Sequence, residues 1–347
     1  MRYPVTRPIL AVTIGDPAGI GPEIALKAVR DLAPRLDDGA LSLLLVGDAA
    51  TLQRTGADLG LPVPDTITEA GLDDMAGAAI LATPAPANTI APGKVSPDGG
   101  EQAYRAVELA TRLAMEKCIA GIVTGPLNKE ALHLAGHDYA GHTEMLADLT
   151  GVRDSVMMLA HGDFRVSHVS THCALQDVTA RATPERISRV VDLTHDTLIR
   201  MGIVAPRIAI AALNPHAGEG GIFGRHDIDV TEPLVRDYVA RGRDVIGPVP
   251  GDTVFVKLKA GQYDAVVAMY HDQGHIPVKL LGFAVDRETG RWTGMSGVNV
   301  TLGLPIIRTS VDHGTAFDIA GQGIADSNSL IEAIDYALQL APDSTHT

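Results

Sequence analysis

Short apolar runs rich in Val, Ile, Leu and Ala recur along the chain, each stopped by Gly, Asp or Pro, and most are followed by apolar residues at helical spacing. The first such run, residues 9–14, predicts a strand that breaks at Gly15-Asp16-Pro17-Ala18-Gly19-Ile20-Gly21-Pro22-Glu23 and leads into a helix. Residues 41–46 predict a second buried strand, halted by Gly47 and Asp48, with a short helix from Ala49. Between residues 61 and 97 the pattern is weak and reads as surface loop. A helix over 101–117 follows, with Ala103, Val107, Ala110, Leu113 and Ala114 on one stripe, then a strand over 120–123 and a turn into a helix ending at Gly136. Beyond it the pattern predicts a hairpin over 156–160 and 165–170, a helix from Thr183-Pro184 to Gly202, and strands ending near 213, 269 and 310. A closing helix covers 329–340. Strands alternating with helices place the chain in the α/β class.

Three of these strands run out into a histidine: His172, His216 and His271. In an open α/β sheet, side chains just past the carboxyl ends of neighbouring strands converge on one crevice. Three neutral imidazoles with an open fourth position make a catalytic divalent-metal site, zinc by default. Set against this is the plainer reading of three unrelated loop residues in a chain with thirteen histidines, which the matching positions outweigh. The run 265–269 ends in Tyr270, His271, Asp272 and Gln273, with Gly274 and Pro277 expected to close the turn. His168, His275 and His313 are expected not to be ligands, the first facing away and the others serving loops, and Cys173 reads as a small buried thiol.

Bulk properties narrow the class. At 347 residues the chain suggests two lobes, and 46% hydrophobic with only 4% aromatic residues describes a compact α/β protein. Two cysteines, Cys118 and Cys173, make no disulfide framework, which fits a reducing cytosol. With no leader-like or membrane-spanning stretch, a cytoplasmic protein is expected. A net charge of −14 opposes nucleic acid or anionic membrane as partner, so an anionic small substrate needs a local cation cluster. Candidate anion contacts are the glycine-rich turn after the first strand, which has neither P-loop nor dinucleotide-fingerprint spacing; Asn128 and Lys129 at a helix start; and Gly141-His142-Thr143-Glu144, where Thr143 can cap a helix and His142 can donate outward. Residues 217–221 read as a flexible loop beside the metal. Asp252, in a tight turn, reads as a carboxylate behind the metal ligands, a proton acceptor or a helix cap, with the cap favoured. Residues 286–294, holding the only Trp, read as an exposed hairpin or loop, and 312–323 as a small-residue loop suited to close approach of a nucleotide.

Taken in order, Gly15-Asp16-Pro17-Ala18-Gly19-Ile20-Gly21-Pro22, Gly141-His142-Thr143-Glu144, Asn214-Pro215-His216-Ala217-Gly218-Glu219, His271-Asp272-Gln273-Gly274 and Arg308-Thr309-Ser310-Val311-Asp312-His313-Gly314-Thr315-Ala316 resemble the 4-hydroxythreonine-4-phosphate dehydrogenase family of pyridoxal phosphate biosynthesis, within the isocitrate/isopropylmalate dehydrogenase-like superfamily. The resemblance covers nearly the whole chain. It implies a two-lobed, three-layer α/β/α fold that is not Rossmann, with a nucleotide-side lobe of 1–127 plus 300–347, a metal, substrate and dimerisation lobe of 128–299, and the site in the cleft between. His172, His216 and His271 fall on the family's metal ligands, for zinc or for Mg, Mn or Co, with the site completed across a homodimer interface. His142, Thr143, Lys279, Asn299 and Arg308 fall on substrate-binding positions, and Asp312, His313, Gly314, Thr315 and Ala316 on the loop that binds NAD or NADP.

The activity so implied is metal-dependent NAD(P) oxidation of the 3-hydroxyl of a 4-phosphorylated four-carbon acid, giving a β-keto acid prone to decarboxylation. Lys279 and Arg308 hold charged substrate groups, and Asp252, Asp272 or a metal-bound water serves as general base. The connection from Lys279 to Asn299 is longer than is typical, and residues 126–132 and 275–277 are closer to a branch that oxidises 4-phospho-D-threonate and 4-phospho-D-erythronate. A further relative oxidises the unphosphorylated cis-dihydrodiol of terephthalate; the intact Gly141-His142-Thr143-Glu144 argues for a phosphate. From other classes, a catalytically silent metal- or phosphate-binding regulator is opposed by the full set of site residues, and a zinc hydrolase would be indifferent to nicotinamide.

Overall fold

The computed structural model describes residues 7–288, 290 and 292–341; the first six residues, Thr289, Arg291 and the PDSTHT tail lie outside them. Its contacts divide the chain into Met1–Ser155 with Leu304–Thr347, and Val156–Gly303. The strands among the described residues are β1 (Ile9–Thr13), β2 (Ser42–Gly47), β3 (Thr66–Ile67), β4 (Ala78–Ala82), β5 (Gly121–Thr124), β6 (Val156–His161), β7 (Phe164–His168), β8 (Ile208–Ala211), β9 (Val245–Val249), β10 (Ala265–Ala268), β11 (Phe283–Val285), β12 (Trp292–Met295), β13 (Val298–Leu302) and β14 (Arg308–Val311).

In the first unit the strand order is β3-β4-β2-β1-β5-β14, every pair parallel. Strands β1, β2 and β5 are buried along their whole length, as continuous apolar runs in a parallel sheet require. The register sets Thr13 beside Thr124 and Thr124 beside Ser310, so three hydroxyl-bearing residues line up at the carboxyl ends of β1, β5 and β14. The Pro97–Met115 helix starts where the Ser96 hydroxyl accepts from Gly99 N–H at 3.1 Å, and buries Ala103, Ala106, Val107, Ala110 and Leu113. Two expectations change. Residues 61–97 are not all loop, because Ala79, Ile80 and Leu81 of β4 are buried beside β2; five residues of mostly Ala and Ile between polar turns were too short for periodicity to resolve. The boundary at 127/128 moves to 155/156, because the Lys129–Leu134 and His142–Thr150 helices place Leu132, Met145 and Leu146 in this unit's core, and the far boundary lies after Gly303.

In the second unit the order is β13-β6-β7-β10-β8-β9. The pairs β13–β6 and β6–β7 are antiparallel, whereas β7–β10, β10–β8 and β8–β9 are parallel. Its core gathers Leu159, Phe164, Val166, Ala209, Val266, Ala268 and Val278. Strands β7, β10 and β8 are therefore parallel neighbours, and the residues that follow them emerge at one edge. Past β10 the chain does not close a turn at Gly274 and Pro277; both lie inside a helix, His271–Gly282. Pro277 lacks the N–H that would bond the carbonyl of residue 273, a loss of a kind that weakens a helix interior. The Gln273 side chain gives the helix start a tie of its own, accepting from Met269 N–H at 2.7 Å and donating to the Ala212 carbonyl at 2.8 Å, which links the exits of β10 and β8. The hairpin expected over 286–294 is formed by β11 and β12, apart from the two positions outside the described residues.

Candidate active site

His172, His271 and His216 leave β7, β10 and β8 in that spatial order. The structure brings the first two together, with ring centroids 5.8 Å apart at 40°. Two imidazoles on one zinc at about 2.0–2.1 Å have centroids about 5 Å apart, so this pair is near ligating distance. The third is not in that cluster, and among the described residues no three His, Cys, Asp or Glu side chains stand close enough to hold one ion. The reason is local: His216 has φ +50° and opens a left-handed turn in which Ala217, Gly218, Glu219 and Gly220 also have positive φ. Its ring meets Phe223 edge-on at 6.3 Å. The expected flexible loop is thus a defined and strained conformation, since non-glycine residues in this region cost about 1–2 kcal/mol each. Asp227 anchors the turn's entry; wholly buried, it accepts from Leu213 N–H (2.7 Å), Asn214 N–H (2.9 Å) and Asn214 Nδ2 (3.0 Å).

The donor chemistry nevertheless fits a divalent transition metal. His271 Nδ1 lies 2.7 Å from Asp272 Oδ1, and His216 Nδ1 lies 2.9 Å from Glu219 Oε2. A carboxylate can only accept, so each ring carries its proton on Nδ1 and keeps the Nε2 lone pair for a ligand, the arrangement that orients metal-bound histidines. Asp272 is thereby a partner of His271 and Glu219 of His216.

A cavity of about 610 Å³ opens in this unit, lined by His216, Asp252, Asp272, Asn214, Tyr270 and Gln273, with Phe255, Ile276, Pro277 and Leu280 on its apolar side. Asp252 is exposed in the first turn of the Gly251–Lys259 helix and makes no capping bond, so the cap expected of it is not present and its carboxylate faces a cavity it shares with Asp272. Lys279, two turns beyond His271 on one helix face, sets Nζ 4.6 Å from the Phe283 ring. Asn299, in β13, has a buried Oδ1 without a hydrogen-bond partner among the described residues. His168 and His275 are both buried and in contact, not apart on separate faces or loops. Burial pushes His168 down to about 3 and His275 to about 4, so both rings are neutral.

The first unit holds Arg308 and His142. Arg308, 3% exposed, donates from Nη2 to Thr124 Oγ1 at 2.7 Å, and burial lowers it to about 9, still charged at neutral pH. His142 is pushed well below the usual imidazole range by burial and then by the Arg308 charge, and its Nε2 is buried with no hydrogen-bond partner among the described residues. Gly141, not Thr143, occupies the N-cap of the His142–Thr150 helix, which leaves Thr143 in the first turn, and His142 turns inward where it was expected to donate outward. A buried guanidinium, an imidazole nitrogen and the first turn of a nine-residue helix are groups of the kind that can bind an anion. Asn128, a second candidate, spends its side chain capping Ala131 N–H at 2.9 Å.

Loop 312–323 packs on the glycine-rich turn after β1. Ile20 N–H donates to the Thr315 carbonyl at 3.0 Å, and a Cβ on Gly19 would stand 2.8 Å from that oxygen. Ala316 has φ +43°. Asp312 N–H reaches Ser329 Oγ at 3.4 Å, and His313 Nδ1 lies 3.0 Å from the Gly314 carbonyl. Buried Glu23, paired with Lys27 at 2.7 Å, accepts from Gly323 N–H and Ala325 N–H, fastening the loop's far end. The backbone-rich surface of Gly314, Thr315 and Ala316 suits a nucleotide phosphate or ribose.

Asp16, in the same turn, is fully buried; Oδ1 accepts from Ala18 N–H at 2.9 Å and Oδ2 has no partner among the described residues. Burial raises this carboxyl from 3.8 to about 6. The folded protein therefore keeps a proton that the unfolded chain loses, so stability falls as pH rises from about 4 to about 6, by ~3 kcal/mol in all. Asp16→Asn is expected to raise unfolding free energy by ~2–3 kcal/mol at pH 7 and by little below pH 4. Urea melts across this range check it; a pH-independent difference would contradict it.

The profile of the pyridoxal phosphate biosynthetic protein PdxA family matches residues 40–337. A Bradyrhizobium diazoefficiens protein provisionally named as a D-threonate 4-phosphate dehydrogenase is 63% identical, covering 96% of each chain. The 4-hydroxythreonine-4-phosphate dehydrogenase of Beijerinckia indica is 46% identical over 95% of this chain and 94% of its own. A crystal structure of the Klebsiella pneumoniae 4-hydroxythreonine-4-phosphate dehydrogenase superposes with a TM-score of 0.80 at 43% identity, over 96% of this chain and all of that one. With the profile spanning most of the chain and these relatives matching it nearly end to end, the chain belongs to the PdxA family.

Proposed function

We propose that this protein is a divalent-metal-dependent NAD or NADP dehydrogenase that oxidises the 3-hydroxyl of a 4-phosphorylated four-carbon acid, with D-threonate 4-phosphate as substrate. The observation that carries the phosphate reading is buried Arg308 with half-buried His142, whose buried Nε2 has no hydrogen-bond partner among the described residues. The choice of D-threonate rests on the name of the 63% identical relative. The amino-acid substrate, 4-hydroxy-L-threonine 4-phosphate, is the second reading, favoured by the Beijerinckia relative at 46%.

His172, His216 and His271 would hold the metal, and Arg308, His142 and Thr143 the phosphate. Lys279 and Asn299 would orient the acid end of the substrate, and loop 312–316 the nicotinamide cofactor, so that the reacting carbon is fixed against it. A divalent ion bound there lowers the pKa of the substrate hydroxyl and polarises the ketone that results. Asp252 or Asp272 would take the hydroxyl proton, and a nicotinamide held by loop 312–316 would supply the hydride acceptor. The product is a 3-keto acid, prone to lose CO2. Comparing kcat/KM for D-threonate 4-phosphate, D-erythronate 4-phosphate and 4-hydroxy-L-threonine 4-phosphate tests the assignment. The D-threonate ester is expected to lead by at least tenfold, and a lead by the amino acid would move the protein to vitamin B6 synthesis.

The working unit in this reading is a homodimer in the cytoplasm. Ile276 and Leu280, on one face of the His271–Gly282 helix and lining the cavity, are 62% and 79% exposed, and Trp292 of β12 is 60% exposed. Exposed apolar side chains of this size are what a partner surface would cover. Leu280→Asp is expected to convert a dimer into a monomer at micromolar concentration in sedimentation velocity; a wild-type monomer would contradict the dimer. No helix among the described residues is long and apolar enough to cross a membrane, and no disulfide joins Cys118 to Cys173.

A further inference from the structure

Behind the outer imidazole of His271 stand two more that the proposed chemistry does not use. His275, one turn further along the same helix, stacks on His271 with ring centroids 3.5 Å apart and planes within 13°. His168, at the end of β7 and fully buried, meets His275 at 4.7 Å between centroids and 56° between planes.

The hydrogen bonds assign every proton. His168 Nδ1 lies 3.3 Å from the Met157 carbonyl and His275 Nδ1 lies 2.9 Å from the His271 carbonyl. A carbonyl only accepts, so both rings are protonated at Nδ1. The His168 Nε2 lone pair then faces His275 Nδ1 at 3.2 Å, and the His275 proton is shared between that nitrogen and the His271 carbonyl. One arrangement of neutral rings satisfies both nitrogens in the contact and fixes the plane of His275.

Room has been left for this column. A Cβ on Gly274 would lie 2.2 Å from His168 Nε2 and 2.8 Å from Val166 Cγ1, so only glycine fits, in a helix interior where it costs about 1 kcal/mol relative to alanine. Two apolar side chains of similar volume would fill the same space without polar nitrogens to satisfy.

We propose that His275 is a positioning residue for His271, and that His168 fixes His275 in turn. The flat face of His275 on one side and the Asp272 carboxylate at Nδ1 leave the His271 ring one orientation, with Nε2 presented outward. The inference rests on the proposed metal role of His271.

The test uses Co(II) added to the full-length apoprotein, read by its dissociation constant and its visible d–d spectrum. Wild type and His271→Ala come first: stoichiometric binding by the former and its loss in the latter uphold the ligand role, whereas equal binding removes that role and this inference with it. Given the ligand role, His275→Phe keeps a flat ring on His271, and His275→Asn keeps a short donor but no ring. The expected result is Co(II) affinity within about threefold of wild type for Phe and weakened about 10- to 100-fold for Asn, with an altered d–d spectrum, as for other partners of metal-bound histidines. Thermal melts of the apoproteins separate positioning from folding. Affinity that follows stability, or Phe no better than Asn, would overturn the proposal.

Discussion

Replacing His271 by alanine is expected to abolish the proposed divalent-ion binding and to lower kcat/KM by ~10³-fold or more, since Lewis-acid stabilisation is worth several kcal/mol. The residue begins a helix directly after β10, between β7 and β8, with His172 5.8 Å away and Asp272 holding its Nδ1. Removing it takes away one of the three proposed ligands and leaves His172 without its near neighbour. The side chain is partly exposed, so its loss leaves the core intact. Metal content after dialysis and initial rates on the same preparation decide the matter. Retained metal with retained turnover would remove the metal from the account.

Arg308→Met is expected to raise KM for the phosphorylated substrate by ~10²-fold, the loss of about 3 kcal/mol of charge-assisted binding. The same change should leave the unliganded protein as stable as before or more so. A guanidinium only 3% exposed suffers a desolvation penalty that methionine avoids while filling similar space. The opposite signs distinguish a binding arginine from a structural one. Inhibition by inorganic phosphate and a thermal melt measure both, and a large loss of stability with unchanged KM would assign Arg308 to the fold.

Much of this was legible in the residues themselves. Apolar runs ended by Gly and Asp located β1, β2, β5 and β10 to within a residue or two, because strands buried on both faces need no alternation to be seen. Strand-terminal histidines were visible for the same reason. What pattern could not reveal depended on distant partners. β4 is a short apolar piece that only pairing with β2 defines. His142 looked like a helix-start donor, and its burial follows from neighbours far along the chain. His168 and His275, 107 residues apart, meet because the His271–Gly282 helix packs over β7. Asp227 carried no signal, since its role is to accept from the backbone of 213 and 214. The left-handed turn at His216 was hidden because Ala217 and Glu219 share its positive φ with the glycines.

The most direct test of the central claim is nicotinamide reduction by the purified protein with D-threonate 4-phosphate, before chelation, after it, and after return of Zn, Co, Mn or Mg. Turnover that disappears on chelation and returns with at least one of these ions is the predicted result. Undiminished turnover in a fully chelated sample would contradict the metal-dependent mechanism, and no nicotinamide reduction with any ion would contradict the dehydrogenase assignment for this substrate.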